Sequence, residues 1–290
     1  MKYYIYKYTP GSTLTRWTVE DILKAVKTGL KKFDLVIDLG LKKIVAEVKD
    51  NNVVIDGVAI DFNTLENVKE GFVYKVVEGE LRRLDMYREG KYYKLKPVAS
   101  DKAPTIEING IHMHRVSGVD PWRDAIAKIK SISKKIKGAK VLDICTGLGY
   151  TAIAEVMFGA ESVTSIEVDE NVLSLASANP WSRGLEHPRI KIIIGDALEV
   201  LDKLKPESFD VVVHDPPRFE VAGELYSLEF YRKIHNVLRR GGILLHYTGN
   251  PSKHSNIDIL KGIKNRLSRA SFDGIKWVES AKGFKAVKVR

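Results

Sequence analysis

The chain has 290 residues, 44% of them hydrophobic, which allows a sizeable core and suggests two domains at about 100–200 residues each. No apolar run approaches a membrane span and the start, MKYYIYKYTP, lacks the apolar stretch of a signal peptide, so a cytoplasmic protein is expected. A single cysteine, Cys145, excludes an internal disulfide and a cysteine zinc cluster, and the net charge of +10 favours an anionic partner, nucleic acid before others. Positive charge is concentrated at 128–140 and 251–290, and the lack of Gln with abundant Lys, Glu, Ile and Val is the composition expected of a hyperthermophile.

Residues 1–100 read as a small β-rich α+β unit, with a strand at 2–8, a helix over 18–30 opened by Thr18 and Asp21, and then a meander. Asp56-Gly57, Glu78-Gly79 and Glu89-Gly90 mark its hairpins. The segment KVVEGELRRLDMYREGKYYKLKP interleaves basic and aromatic residues, as a single-stranded nucleic-acid platform does, although the solvated face of an antiparallel sheet has the same composition. PVASDKAP at 97–104 is the expected linker, so residues 101–119 form a connecting hairpin turned at Asn109-Gly110. His112 and His114 share a face of that hairpin, but no third ligand lies nearby and no metal site is expected.

From Asp120-Pro121, an N-cap followed by a first-turn proline, the remainder 120–290 reads as one domain. Ile126, Ile129, Ile132 and Ile136 follow at helical spacing. Strands at 140–144, 162–167, 190–194, 209–214 and 243–248 alternate with helices near 150–158, 170–178, 197–203 and 224–239, and a hairpin of 275–280 with 284–289 ends the chain. Such alternation implies an α/β, Rossmann-like domain whose sheet is mostly parallel.

Two stretches of this domain carry chemistry. In VLDICTGLGYTAIAE the glycines of Gly147-x-Gly149-x-x-Ala152 let backbone amides approach a ligand at a helix start, and Glu167 closes the next strand at the distance expected of a ribose-binding acid. Asp143, inside the first strand, suits a cationic ligand better than a pyrophosphate. In VVVHDPPRFE a buried strand ends on His214 and Asp215. Pro216 and Pro217 then take the chain out of the sheet with their carbonyls free to accept.

VLDICTGLG, SIEVD, IIGDA, VVVHDPPRF and the terminal hairpin together resemble the class I S-adenosylmethionine (SAM)-dependent methyltransferases over residues 120–290. The resemblance implies a seven-stranded sheet ending in an antiparallel hairpin. It also implies SAM as cofactor, held by Asp143, Thr146, Gly147 and Gly149, by Glu167 (or Asp169) at the ribose, and by Asp196 with Ala197 at the adenine. Trp181, in NPW, is left as packing or an adenine neighbour.

Asp-Pro-Pro resembles the motif of enzymes that methylate an exocyclic base amine, in which Asp215 and the Pro216 carbonyl would accept the two amine protons. Phe219 or Arg218 would stack on the base, since Arg218 stands where an aromatic residue is usual, and His214 would either relay a proton or pack at the strand end. Cys145, in the cofactor loop, is misplaced for thiolate attack on a ring carbon.

The layout is similar to that of archaeal RNA methyltransferases that transfer one or two methyl groups to cytidine N4 of small-subunit ribosomal RNA; guanine N2 or adenine N6 would need the same two acceptors. Ribosomal RNA is then the expected partner. Aminopropyltransferases of polyamine synthesis share the layout, but the basic chain and Arg218 point away from a polycation site, and a catalytically dead RNA-binding module is the third alternative. Oligomeric state is not legible in these patterns.

Overall fold

The computed structural model describes residues 1–249 and 257–289, so Lys253 and Arg290 of the basic C-terminal stretch lie outside the described residues. The chain divides into two compact units, one of residues 1–6, 123–170 and 185–290, the other of 7–122 with 171–184. Among the described residues no helix is long and apolar enough to cross a membrane.

The unit of 7–122 and 171–184 is rich in strands: one sheet of three and two of four, all antiparallel. Its turns follow from the sequence. Asp56-Gly57, Glu78-Gly79, Glu89-Gly90 and Asn109-Gly110 are two-residue loops with positive φ at both positions, the twist that antiparallel neighbours require. The helix here covers Arg16–Lys27 and starts earlier than expected, because Thr15 and Thr18 cap it reciprocally and bring Val19 and Ile22 into the core.

The basic and aromatic residues of 75–97 are largely engaged with their neighbours. Lys94 and Lys96 reach Glu107 at 3.0 and 2.8 Å, Arg83 reaches Asp85 at 2.6 Å and lies over the Phe72 ring, and Tyr92 donates to Asp85. His112 contacts Glu107 and His114 contacts Thr105.

The other unit is built on one sheet. Its strands are β1 (Lys2–Tyr4), β2 (Lys140–Ile144), β3 (Ser162–Glu167), β4 (Ile190–Ile194), β5 (Phe209–His214), β6 (Leu238–Tyr247), β7 (Phe272–Val278) and β8 (Gly283–Lys288). Their spatial order is β1-β4-β3-β2-β5-β6-β8-β7, with β2 to β6 parallel and β1, β7 and β8 antiparallel. The helices that matter below are α1 (Pro121–Lys130), α2 (Tyr150–Met157), α3 (Glu170–Ala178), α4 (Ala197–Lys203) and α5 (Leu228–Val237). Val141 to Ile144 and Val211 to His214 are buried throughout, as expected of central parallel strands covered on both faces.

The sheet therefore has eight mixed strands instead of seven. The eighth is β1, whose residues pair with Ile192, Ile193 and Ile194 at the edge of β4. A strand at 2–8 was expected to belong with the hairpins that follow it; pairing across that much sequence leaves no local trace. The conformation at Arg239–Gly242 also differs, since β6 begins at Leu238 and its register against β5 shifts between Phe209 and Val211.

Strand order reverses between β2 and β5, so the loops that follow these neighbouring strands diverge and open a crevice at their carboxyl ends. Gly149 fixes one wall. It caps α2 in the left-handed region at φ 78°, and a Cβ there would lie 2.5 Å from the Leu185 side chain. Gly149→Ala should destabilise the protein by about 2 kcal/mol in denaturant unfolding, the sum of backbone strain and overlap. Gly57→Ala, at φ 84° with nothing near its Cβ, should cost only the backbone part, about 1 kcal/mol. Equal losses at the two positions would mean that Leu185 yields freely.

Candidate active site

The loop after β2 is held from below. Asp143 is fully buried, and its two carboxylate oxygens accept from Thr151 Oγ1 on α2 at 2.9 Å and Ser165 Oγ on β3 at 2.6 Å. Burial raises its pKa to about 7, against the pull of those two hydroxyls. Thr146 is buried against the same Ser165, 2.6 Å between hydroxyls, and the amides of Cys145 and Thr146 both donate to the Ile166 carbonyl at 3.0 Å. Cys145 takes φ 76°, an unusual conformation for a side chain with a Cβ, and the turn continues through Gly147 at φ 54° to Gly149.

Glu167, at the end of β3, lies across this loop. Its Oε2 accepts from the Gly147 amide at 2.8 Å and its Oε1 from the amides of Val168 and Asp169 at 3.0 Å each. Asp196 follows β4 and caps α4 by accepting from the Leu198 amide at 2.7 Å, with Ala197 buried behind it. The sheet thus brings Asp143, Thr146, Gly147, Gly149, Glu167 and Asp196 to its carboxyl ends. Trp181 belongs to the other unit, where its indole donates to the Leu39 carbonyl and its ring meets Trp122 at 5.8 Å.

After β5 the chain turns at Asp215, whose amide still pairs with the Ile144 carbonyl at 3.2 Å. The Asp215 side chain keeps 21% exposure, and both its oxygens are taken by Lys128 Nζ, at 2.9 and 2.8 Å. Lys128 lies on α1 and also reaches Asp124 one turn earlier at 2.8 Å, while the Tyr247 ring from the end of β6 covers it at 3.8 Å. Burial works against the charge on Lys128, but the two carboxylates more than offset it and hold its pKa above the ordinary lysine value. Burial raises the Asp215 carboxyl, with Lys128 opposing.

His214 is fully buried. Its Nε2 faces the Leu225 carbonyl at 3.0 Å, its ring stacks on His246 at 4.6 Å, and burial lowers its pKa to about 3, so it stays neutral. Pro216 is buried, and the Pro217 carbonyl accepts from the Tyr226 hydroxyl at 2.7 Å. Arg218 is exposed and its carbonyl closes a turn with the amides of Val221 and Ala222, while Phe219, 39% exposed, meets Tyr226 edge-on at 5.4 Å.

Sequence reasoning missed Lys128, Asp124, Tyr247 and Glu224. The spacing of Asp124 and Lys128 was visible, but i, i+4 pairs are most often solvated, and nothing local shows that this one is buried under a strand end. Cys145 reveals what the site gathers. Its thiol is pushed well up, by burial first and then by the charges of Glu167, Asp215, Asp143 and Glu224. Four carboxyl groups are thus near enough to act on one thiol in a chain whose net charge is +10. The same shift disarms Cys145 as a thiolate nucleophile.

The sequence model of the spermine/spermidine synthase domain matches residues 121–275, a little more than half of the chain. An uncharacterized protein of Methanocaldococcus jannaschii is 49% identical over 234 residues, 80% of this chain and 79% of that protein. Two shorter similarities each cover about a third of the chains concerned. A polyamine aminopropyltransferase of Aeropyrum pernix is 32% identical over 114 residues, 37% of this chain and 36% of its own. A ribosomal RNA large subunit methyltransferase of Klebsiella pneumoniae is 30% identical over 117 residues, 38% of this chain and 29% of its own. Among solved structures, a spermidine synthase in complex with a transition-state analogue superposes with a TM-score of 0.56 at 21% identity, over 78% of this chain and 77% of that one, a likeness of fold.

These findings overturn the cytidine N4 methyltransferase expected from Asp-Pro-Pro, and with it SAM as methyl donor and ribosomal RNA as partner. The motif misled because Asp215-Pro216 describes two acceptors beside an amine without saying which amine. Net charge misled because it sums the surface and not the crevice. The fold is that of the SAM-dependent methyltransferase-like enzymes, and by its match over 121–275 the chain belongs to the spermine/spermidine synthase domain family.

Proposed function

We propose that this protein is an aminopropyltransferase, moving the aminopropyl group of decarboxylated SAM to a nitrogen of a diamine or polyamine. The observation that carries this reading is the match of residues 121–275 to the spermine/spermidine synthase domain, with Asp143, Glu167, Asp215 and Glu224 all acting electrostatically on the Cys145 loop. Donor and acceptor are both cations, and acidic groups at the carboxyl ends of the sheet favour them whatever the charge of the distant surface. The donor supplies a carbon activated by a positive sulfur. The acceptor lone pair forms the new C–N bond, the C–S pair passes to sulfur to leave neutral methylthioadenosine, and the product ammonium releases a proton.

The chain's own residues divide this work. The turn of Thr146, Gly147 and Gly149 would support the nucleoside, with Glu167 at the ribose and Asp196 and Ala197 at the adenine. Glu167 has a second task, because its bond from the Gly147 amide ties the glycine turn to the end of β3. Asp215 and the Pro216 carbonyl, at the crevice edge, would orient the acceptor nitrogen, so that proximity and alignment supply much of the acceleration. Phe219 and Arg218 stand at the exposed rim, where they would border the acceptor's path, and His214 supports the turn from the core as a neutral ring.

Purified protein given decarboxylated SAM and a panel of diamines and polyamines should release methylthioadenosine and a polyamine longer by one aminopropyl unit, read by mass spectrometry. Methyl transfer from SAM to any acceptor, with decarboxylated SAM inert, would overturn the proposal.

Asp215→Asn should lower kcat by about 10²–10⁴ while methylthioadenosine affinity in calorimetry stays within about threefold. Parallel loss of both would take Asp215 out of the acceptor side. Glu167→Ala should weaken methylthioadenosine by about 10–100-fold, the worth of a charged hydrogen bond, and an unchanged affinity would transfer the ribose to Asp169.

A further inference from the structure

The buried cation at Asp215 has no part in the division of work above. An ammonium has three hydrogens to donate. Lys128 directs them to Asp215 Oδ1 and Oδ2 at 2.9 and 2.8 Å and to Asp124 Oδ2 at 2.8 Å, and the Tyr247 ring closes its remaining side at 3.8 Å. The lysine side chain is only 6% exposed and that of Asp124 only 4%. Both oxygens of the one carboxylate that edges the crevice after β5 are thus already bonded to an ammonium that belongs to the protein.

An acceptor amine meets a conflict in a site lined by carboxylates. The charges that attract it also stabilise its protonated form, which has no lone pair to attack with. Free alkyl amines titrate near 10.4, so only about one in a thousand is unprotonated near neutrality, and a bare Asp215 beside the nitrogen would lower that fraction further. A fixed positive charge at the same place acts in the opposite sense, as a cationic neighbour does for a catalytic lysine.

We propose that Lys128 is a charge-setting and positioning residue: by neutralising Asp215 it lets the acceptor nitrogen bind there uncharged, as the nucleophile, while the carboxylates farther along the crevice hold the rest of the cation. This inference rests on the aminopropyltransferase reading. Among the described residues, the charged and titratable groups that interact with the Lys128–Asp215 pair are Asp124 on α1, Asp143 in β2, Cys145 after it, Tyr226 before α5 and Tyr247 on β6; His214 and His246 are neutral. Each partner removed changes the formal charge of the triad in a known direction.

The test is the pH profile of kcat, whose rising limb reports the pKa of the bound acceptor amine. Lys128→Met should bind the acceptor more tightly, because Asp215 is freed to hold an ammonium. It should turn over about tenfold more slowly at pH 7, with the limb moved at least about one pH unit to the alkaline side. Asp124→Asn removes one negative charge and leaves the Lys128–Asp215 pair, so its limb should move to the acid side, and Lys128→Arg should keep the limb of the unsubstituted protein. Methylthioadenosine affinity should stay within about threefold throughout.

If Lys128→Met does not fold, the acid shift of Asp124→Asn decides the matter alone. Limbs that stay in place while kcat falls would reduce Lys128 to a structural ion and overturn the inference, with the aminopropyl reading intact. Absence of aminopropyl transfer by the unsubstituted protein would overturn both, and would be seen before any variant is made.

Discussion

The pairing of β2 with β5 is the constraint from which the site follows. Ile144 lies opposite His214 in parallel register, and the Asp215 amide extends the ladder by one more bond to the Ile144 carbonyl. The glycine turn and the Asp-Pro-Pro turn therefore start from adjacent points and leave in different directions, since β2 continues toward β3 and β5 toward β6. Burial of both strands on both faces makes this arrangement stiff, and stiffness is what a site that works by alignment requires.

Charge is organised on two scales. Over the surface, Lys and Arg exceed Asp and Glu, 47 to 37, but exposed charges are screened within about 10 Å and do not set the potential in a recess. At the carboxyl ends of the sheet, Asp143, Glu167, Asp215 and Glu224 act together on Cys145. Among the basic residues that suggested a nucleic-acid face in 75–97, Lys94 and Lys96 are both bonded to Glu107 and Arg83 to Asp85. A net charge of +10 and a locally acidic crevice are compatible because they describe different distances.

The Asp124–Lys128–Asp215 triad contributes little net stability, because removing three charges from water offsets most of what they gain from one another. Its consequence is geometric. One helix, one strand end and the Tyr247 ring are fastened at a single ammonium, so the carboxylate at the crevice edge has one orientation.

Much of the architecture was legible in the chain. Val, Ile and Leu runs separated by helical periods marked β2 to β5 at their observed residues, and Asn or acid followed by Gly marked the hairpins, because strand burial and turn conformation are decided by residues close in sequence. The glycine turn and the acids at 143, 167, 196 and 215 were visible for the same reason. Three matters were settled only by the fold: the addition of β1 to the far edge of β4, the burial of Lys128 against Asp215, and the combined electrostatic action of four carboxyl groups on Cys145. Each depends on groups brought together from distant parts of the chain, and electrostatic work is set by separation in space and by exclusion of water, neither of which a local pattern records.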